Sequence, residues 1–320
     1  MAENLLLGAE TSTLVRALVS RGVPASLAER RVAELARSPI LRHAAPHLIQ
    51  ERRADLLIRL QRTVARQAQH PASIERRPTP SASDFYDHYC AWQVPVIFTD
   101  LLATTAARHW TPESLAERFG GVELKVASGR NSDPDYDRNT PKHTSSMKLG
   151  EYVDRVLASG ATNDIYMVAN HRNIARPELR PLLDELTFPE GYLDPSQLTD
   201  ASALWFGPAG TVTPLHHDTS NILFCQIYGR KRFRLVPQFE LPLHDRARSL
   251  YSSADPESES DAQFFSELVV KDVVLEPGET LFIPACFWHH VRSLDVSISF
   301  ATTALARPNN FDWFRPGEVS

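Results

Sequence analysis

Residues 213–218, Thr213-Pro214-Leu215-His216-His217-Asp218, read together with residues 288–291, Trp288-His289-His290-Val291, decide the fold and the chemistry of this chain. His216 and Asp218 stand at i and i+2. Alternate side chains of a β-strand point to the same face, so one strand end can present both to a single ion. His289 follows Asp218 by 71 residues (289 − 218) and brings a third ligand from a distant strand. Two histidines and one carboxylate on one face of an octahedron leave the other face open, an arrangement that suits non-haem Fe(II) and oxygen chemistry. With 12 histidines and 39 acidic residues in the chain, an H-x-D pair alone also arises by chance. The surrounding sequence has to carry the argument.

After Asp200 short apolar runs alternate with turn formers. The runs are 203–206, 212–216, 222–228, 231–237, 269–275, 280–284, 289–293 and 296–303, with Pro208-Ala209-Gly210, Gly229-Arg230 and Pro277-Gly278 as turns. Eight strands at this spacing are the count of a double-sheet jelly roll. The predicted fold is mainly β with α: a double-stranded β-helix (jelly-roll) core over about 203–304, with flanking helices and an N-terminal α-helical region. The second and seventh strands of such a barrel are neighbours, so His216, Asp218 and His289 converge at its mouth, where a cavity is expected. The insertion at 238–266, with Glu257-Ser258-Glu259-Ser260-Asp261, is too polar for a core and reads as an exposed loop.

Upstream the periodicity is helical. Leu14, Val15, Leu18 and Val19 form one stripe. Ser26 and Glu29 form a capping box before Val32, Leu35 and Ala36, and Leu56, Leu57, Leu60 and Val64 share a face. Residues 1–70 are therefore one region, 71–82 a proline-punctuated connector (PASIERRPTP over 71–80), and 83–320 the barrel-bearing domain. Within it, a helix opens at Phe85-Tyr86 and Thr111-Pro112-Glu113 starts another. Residues 95–98, 122–126 and 165–169 read as strands, and 147–157 as an amphipathic helix. Residues 129–143 are polar and turn-rich, either a disordered tip or a lid facing the substrate.

Bulk properties exclude several classes. Hydrophobic residues make up 42% of the 320 and charged residues 23%, as in an ordinary globular protein. The net charge of −5 gives no signature of nucleic-acid binding. Residues 1–77 hold 13 Arg, no Lys and 7 acids, a balance of +6 that leaves −11 for the rest, and arginines on helices usually form a solvated face. No run approaches the roughly 18 apolar residues of a membrane span. Cys90, Cys225 and Cys286 are too few and too scattered for a disulfide framework or a structural zinc site; Cys225 and Cys286 read as buried, and a cytoplasmic setting is expected.

Four motifs in order resemble the JmjC/cupin-like 2-oxoglutarate oxygenases: TPLHHD at 213–218, QIYGRKRF at 226–233, PGETLFIP at 277–284 and WHHV at 288–291. Within these the chain is most similar to a bacterial cupin-like group and to the asparaginyl hydroxylase that inhibits hypoxia-inducible factor. The likeness covers about 83–305. It implies that His216, Asp218 and His289 ligate Fe(II), His289 rather than His290 because the ligand directly follows the aromatic residue. It implies that Lys231, one of five lysines, pairs with the distal carboxylate of 2-oxoglutarate, helped by Thr213 and Tyr166, with Asn221 and Ser299 as further cosubstrate contacts. A buried dicarboxylate needs such a compensating charge. Trp205 and Phe224 would wall the cavity. His217 and His290 should point away from the ligands by strand alternation. The sequence departs from the family at Ile222, where a second asparagine is common, and at Ser299-Phe300-Ala301, where Asn-Phe-Trp is common.

The implied activity is O2-dependent hydroxylation, with 2-oxoglutarate leaving as succinate and CO2. A peptide or protein side chain is the leading substrate, and Arg130, Asn131 and Asn170 are candidates for binding it at the entrance. Oxidation of a small molecule such as an amino acid or secondary metabolite is the second reading. A cupin-like binding protein without turnover is the reading from another class. No nucleic-acid or membrane partner is expected, and the unpaired helical stripes allow a homodimer.

Overall fold

The stripes near the N-terminus become helices. The computed structural model, which describes residues 2–311, separates them as one unit, Met1–Gln69, from a second, His70–Ser320. The first holds α1 (Ala2–Leu6), α2 (Thr11–Val19), α3 (Ala25–Ala36) and α4 (Pro39–Arg66). Helices α2 and α3 pack together and carry the buried Leu14, Ala28 and Val32. Pro24 occupies the N-cap of α3, which places Ser26 inside the first turn, and the expected Ser26–Glu29 box does not form. Leu56, Leu57, Leu60 and Val64 of α4 share a face as expected and are all more than half exposed. Among the described residues no helix is long and apolar enough to cross a membrane.

The second unit opens with β1 (Glu75–Arg77), β2 (Val96–Phe98), β3 (Glu123–Ser128), β4 (Thr144–Lys148) and β5 (Ile165–Tyr166). The barrel follows: β6 (Ser202–Gly207), β7 (Val212–His216), β8 (Ile222–Tyr228) and β9 (Lys231–Val236). After the short β10 (Ala247–Arg248) and β11 (Tyr251–Ser252) come β12 (Lys271–Leu275), β13 (Thr280–Ile283), β14 (Trp288–Ser293) and β15 (Ser297–Thr302). All eight expected barrel strands are present. One sheet runs β1-β2-β13-β8-β15-β6 and the other β10-β11-β7-β14-β9-β12, so the barrel strands divide four and four. A third sheet, β4-β3-β5, stands beside them.

Period-two alternation sorts the side chains. Phe224, Phe233, Leu281, Ile283 and Val291 fill the interior between the two sheets, each buried side chain contributing roughly 1.5–3 kcal/mol. Outside the first sheet, Leu204, Phe206 and Phe300 pack with Leu115 and with Tyr152 and Val156 of the helix Leu149–Ala158.

The insertion after β9 is not the exposed loop that its polarity suggested. Its Leu243 and Ala254, with Leu268 just beyond it, pack on Leu215, Val236 and Trp288 outside the second sheet. Its Glu257 accepts from Arg234 of β9 and Arg292 of β14. Of the acids that looked solvated, Glu257 therefore answers arginines that alternate along the outer face, and Asp261 pairs with Arg246 within the insertion.

Other boundaries moved for similar reasons. The connector is drawn into the barrel, since β1 lies parallel to β2 and Lys271 donates to the carbonyls of Pro71 and Ser73. Met147 belongs to β4, and the helix begins at Leu149. Cys286 is only half-buried and lies in a turn at φ 62°.

Candidate metal centre and its cavity

Strand β14 pairs with both β7 and β9, and His289 lies directly across from His216. The imidazole centroids are 4.1 Å apart. Asp218, just past the end of β7, brings Oδ2 to 3.8 Å from Nε2 of His216 and 3.6 Å from Nε2 of His289. One ligand atom from each of the three lies within 4.8 Å of the others. The turn before β14 is tied to this end of the barrel, because the Cys286 amide donates to the carbonyl of Asp218 at 2.8 Å.

Each histidine spends its other nitrogen on the backbone: Nδ1 of His216 lies 2.7 Å from the Pro214 carbonyl, and Nδ1 of His289 lies 3.0 Å from that of Phe287. A proton on Nδ1 leaves the Nε2 lone pair facing the cluster, which is how metal-binding histidines are commonly oriented. Burial, and then the neighbouring His216, hold His289 well below the ordinary histidine range, which favours the neutral ring that a metal requires. The donor set thus fits a divalent cation with open positions.

Thr213 and His216 both line the cavity although they are three residues apart. A regular strand would put them on opposite faces. Between His289 and Val291 the partner strand advances from His216 to Thr213, so β7 carries an extra residue around Pro214-Leu215. A bulge of this kind re-aims side chains, and proline is tolerated there. The proline within an otherwise regular strand pattern was the signal in the sequence.

Lys231 opens β9 and points inward, fully buried, among the rings of Tyr166, Trp205 and Phe224 at 5.3, 5.8 and 5.4 Å. Its ammonium donates to the Tyr166 hydroxyl at 2.8 Å. Burial pushes its pKa down to about 7. Among the described residues no carboxylate forms an ion pair with it, so the cavity holds an uncompensated cation site suited to an anion. The buried Nε1 of Trp205 also has no partner, and its side chain lines the same cavity. Tyr166 fits because residue 207 is glycine: a Cβ there would lie 2.6 Å from the phenol ring.

The inner cavity, about 50 Å³, is lined by His216, Asp218, His289, Lys231, Thr213, Tyr166, Trp205 and Phe224, which brings together eight of the residues singled out from sequence. It opens into a mouth of about 660 Å³ that adds Asp137, Asn170 and Tyr251 to its lining. A further cavity of about 600 Å³ shares Asp200, Ala201, Ser220 and Thr303 with the mouth, so the two adjoin.

Four residues fall outside the roles expected of them. Asn221 does not line the cavity: its amide oxygen accepts from Gln93 and the Ala285 backbone, and its amide nitrogen donates to Asn309. Ser299 faces inward but donates to Gln226, which is held in turn by the carbonyls of Tyr228 and Gly229. Arg130 is buried, not at the entrance; it donates to the Val212 carbonyl and lies over the Tyr136 ring at 4.2 Å. Asn131 is exposed and bonds to Asp164 and Thr162 without reaching the cavity. His217 and His290 turn outward as alternation requires, His217 against Trp288 at 4.6 Å and His290 toward Glu257 at 3.9 Å. Tyr251 and Asp137 were missed. The lone tyrosine of a polar insertion was the only hint of the first, and no periodic signal marks the second.

The cupin-like domain model matches residues 82–304. Over 240 residues the chain is 29% identical to "Lysine-specific demethylase 8" of Xenopus tropicalis, covering 71% of this chain and 52% of that protein. It is 39% identical over 238 residues to "Lysine-specific demethylase JMJ30" of Arabidopsis thaliana, covering 71% and 53%. It is 28% identical over 168 residues to "Jumonji C domain-containing protein 5" of Drosophila melanogaster, covering 48% and 41%. The chain spans about half the length of the first two relatives. The match takes in every barrel strand and all three residues of the His216, Asp218 and His289 cluster, and it shows that this chain belongs to the cupin-like domain family.

Proposed function

We propose that this chain is an Fe(II)- and 2-oxoglutarate-dependent dioxygenase that hydroxylates a side chain of a peptide or protein. The observation that carries the reading is that the His216, Asp218 and His289 cluster and the uncompensated Lys231 line one inner cavity. When bound, Fe(II) with 2-oxoglutarate and O2 supplies the oxidation of a substrate C–H bond. The chain's own groups hold and orient. His216 and His289 would grip the ion through Nε2 while their Nδ1 atoms stay on backbone carbonyls, and Asp218 would add one negative charge. Lys231, with the Tyr166 and Thr213 hydroxyls, would take the far carboxylate of the cosubstrate, a charge-assisted contact strengthened by burial. Trp205 and Phe224 screen that contact from water. No side chain is needed as a general base.

The wide mouth and the second cavity beside it support a peptide rather than a small metabolite, because a small ligand is usually enclosed on most of its surface. The names of two relatives favour a second reading, removal of an N-methyl group from lysine. Hydroxylation of an N-methyl carbon releases formaldehyde, so both readings use the same residues. The free state of all three cysteines suits a reducing compartment such as the cytoplasm.

The test is succinate formation with Fe(II), ascorbate and 2-oxoglutarate, lost in His216→Ala and in Asp218→Ala. Absence of turnover across peptide and metabolite panels would favour a binding protein. Peptides from a host lysate that gain 16 Da support hydroxylation, peptides that lose 14 Da with formaldehyde support demethylation, and oxidation confined to metabolites sinks both.

A further inference from the structure

Two residues outside the triad and the cosubstrate pocket reach the candidate metal centre from separate parts of the chain. Tyr251, in β11 of the insertion, pairs through its backbone with His216 at the end of β7. Its ring lies against the His216 imidazole, centroids 5.5 Å apart and planes 25° from parallel. Its hydroxyl donates to Oδ2 of Asp137 at 2.8 Å. Asp137 comes from the polar segment 129–143, and its other oxygen lies 3.7 Å from the buried guanidinium of Arg130. Arg130 is fixed in turn: it donates to the carbonyl of Val212, also in β7, and lies 4.2 and 5.1 Å from the rings of Tyr136 and Tyr166.

The single bond from Nδ1 to the Pro214 carbonyl sets the tautomer of His216 and leaves the tilt of its ring to whatever lies on its faces. On one face is His289, at 54° to the ring. On the other is Tyr251, nearly parallel and anchored at its far end. A tyrosine held only by stacking could slide or rotate; one whose hydroxyl is bonded to a braced carboxylate cannot.

We propose that Tyr251 and Asp137 are positioning residues for His216, with Asp137, braced by Arg130, holding Tyr251 flat against the imidazole so that Nε2 stays aimed at the ion. The inference rests on the metal reading given above. It assigns a task to the insertion, which sequence left as an exposed loop, and to the segment 129–143, which it left as a disordered tip or a lid facing the substrate. Groups that orient a metal-binding histidine typically change metal affinity by about 10- to 100-fold when removed.

The probe is Co(II) alone, titrated into the intact chain by calorimetry, with its visible ligand-field spectrum recorded and a urea midpoint measured for each variant. Tyr251→Ala should weaken Co(II) binding by about 10- to 100-fold and shift the ligand-field bands. Tyr251→Phe keeps the ring, and should recover part of the loss. Asp137→Asn keeps the shape, and should resemble Tyr251→Phe. These two near-isosteric variants keep the test decisive if Tyr251→Ala fails to fold. Wild-type affinity and bands in both would overturn the inference, even if turnover fell, because the two residues would then act on substrate. Failure of the wild-type chain to bind Co(II) in a manner sensitive to His216→Ala would sink the metal reading and this inference with it.

Discussion

The two faces of the sheet that holds β7, β14, β9 and β12 use the same residue types for opposite ends. Outward lie His217, His290, Arg232, Arg234 and Arg292; inward lie His216, His289 and Lys231. Outside, every one of these arginines meets an acid: Arg234 and Arg292 share Glu257, and Arg232 takes Asp272. Inside, Lys231 meets only a phenol and aromatic rings. Charge that is matched outside contributes to stability, and charge left unmatched inside is available to a ligand. Residue type does not distinguish the two faces; strand phase and the presence of counter-charge do.

The sharpest way to break this comparison is to exchange adjacent histidines for alanine. His289→Ala should reduce succinate formation to background and abolish stoichiometric metal uptake, whereas His290→Ala should keep both within a few-fold and lower only the unfolding midpoint. Equal losses would mean that the faces are not distinct.

Next in size is the inner cation. Lys231→Met should raise the KM for 2-oxoglutarate by about 100-fold, in line with roughly 2–5 kcal/mol for truncating a buried hydrogen-bonded charge pair, and should leave Co(II) affinity unchanged. The same group sets a pH dependence. Lys231 is held down at about 7 without an anion, so it is protonated below that pH and loses its charge above it. A dicarboxylate binds the protonated form and raises its pKa. Cosubstrate affinity measured calorimetrically should therefore be flat below about pH 7 and weaken by up to about tenfold per unit above it. A flat profile across this range would show that the distal carboxylate docks elsewhere.

The smallest effect belongs to the outer face. Glu257→Gln leaves Arg234 and Arg292 without their shared carboxylate, both partners being partly exposed. A loss of about 2 kcal/mol in urea unfolding is expected, with no change in the KM for 2-oxoglutarate.

Much of the barrel was legible because alternation survives in a sheet with one inner face. The run 231–237 read as a strand, and in the structure its Lys231, Phe233 and Leu235 face inward while Arg232 and Arg234 face outward. The H-x-D pair was legible for the same reason, whereas the choice of His289 over His290 and the role of Lys231 came from the family resemblance. What escaped was set by contacts with no period. Asn221 has a polar side chain next to the site, yet Asn309, Gln93 and the Ala285 amide claim it, and those partners lie 88, 128 and 64 residues away. Arg130 sits in a polar loop, but its length lets the guanidinium lie between two tyrosine rings. Polarity over 238–266 was taken for exposure, since nothing local reveals that the arginines it answers lie on the far side of β9 and β14.

The cross-strand pairing of His216 with His289 has a consequence for when the centre can be filled. At the usual pace of synthesis, about 5–20 residues per second, the 73 residues after His216 up to and including His289 (289 − 216) take roughly 4 to 15 s to appear. During that interval His216 and Asp218 are a bidentate fragment, free to take up whichever cation is abundant and to release it. Tight capture waits until β14 docks between β7 and β9, a non-local closure that must follow synthesis of the whole intervening segment. If the centre takes up an ion as proposed, the choice of metal is a late event in the life of the polypeptide, made only once β14 has docked.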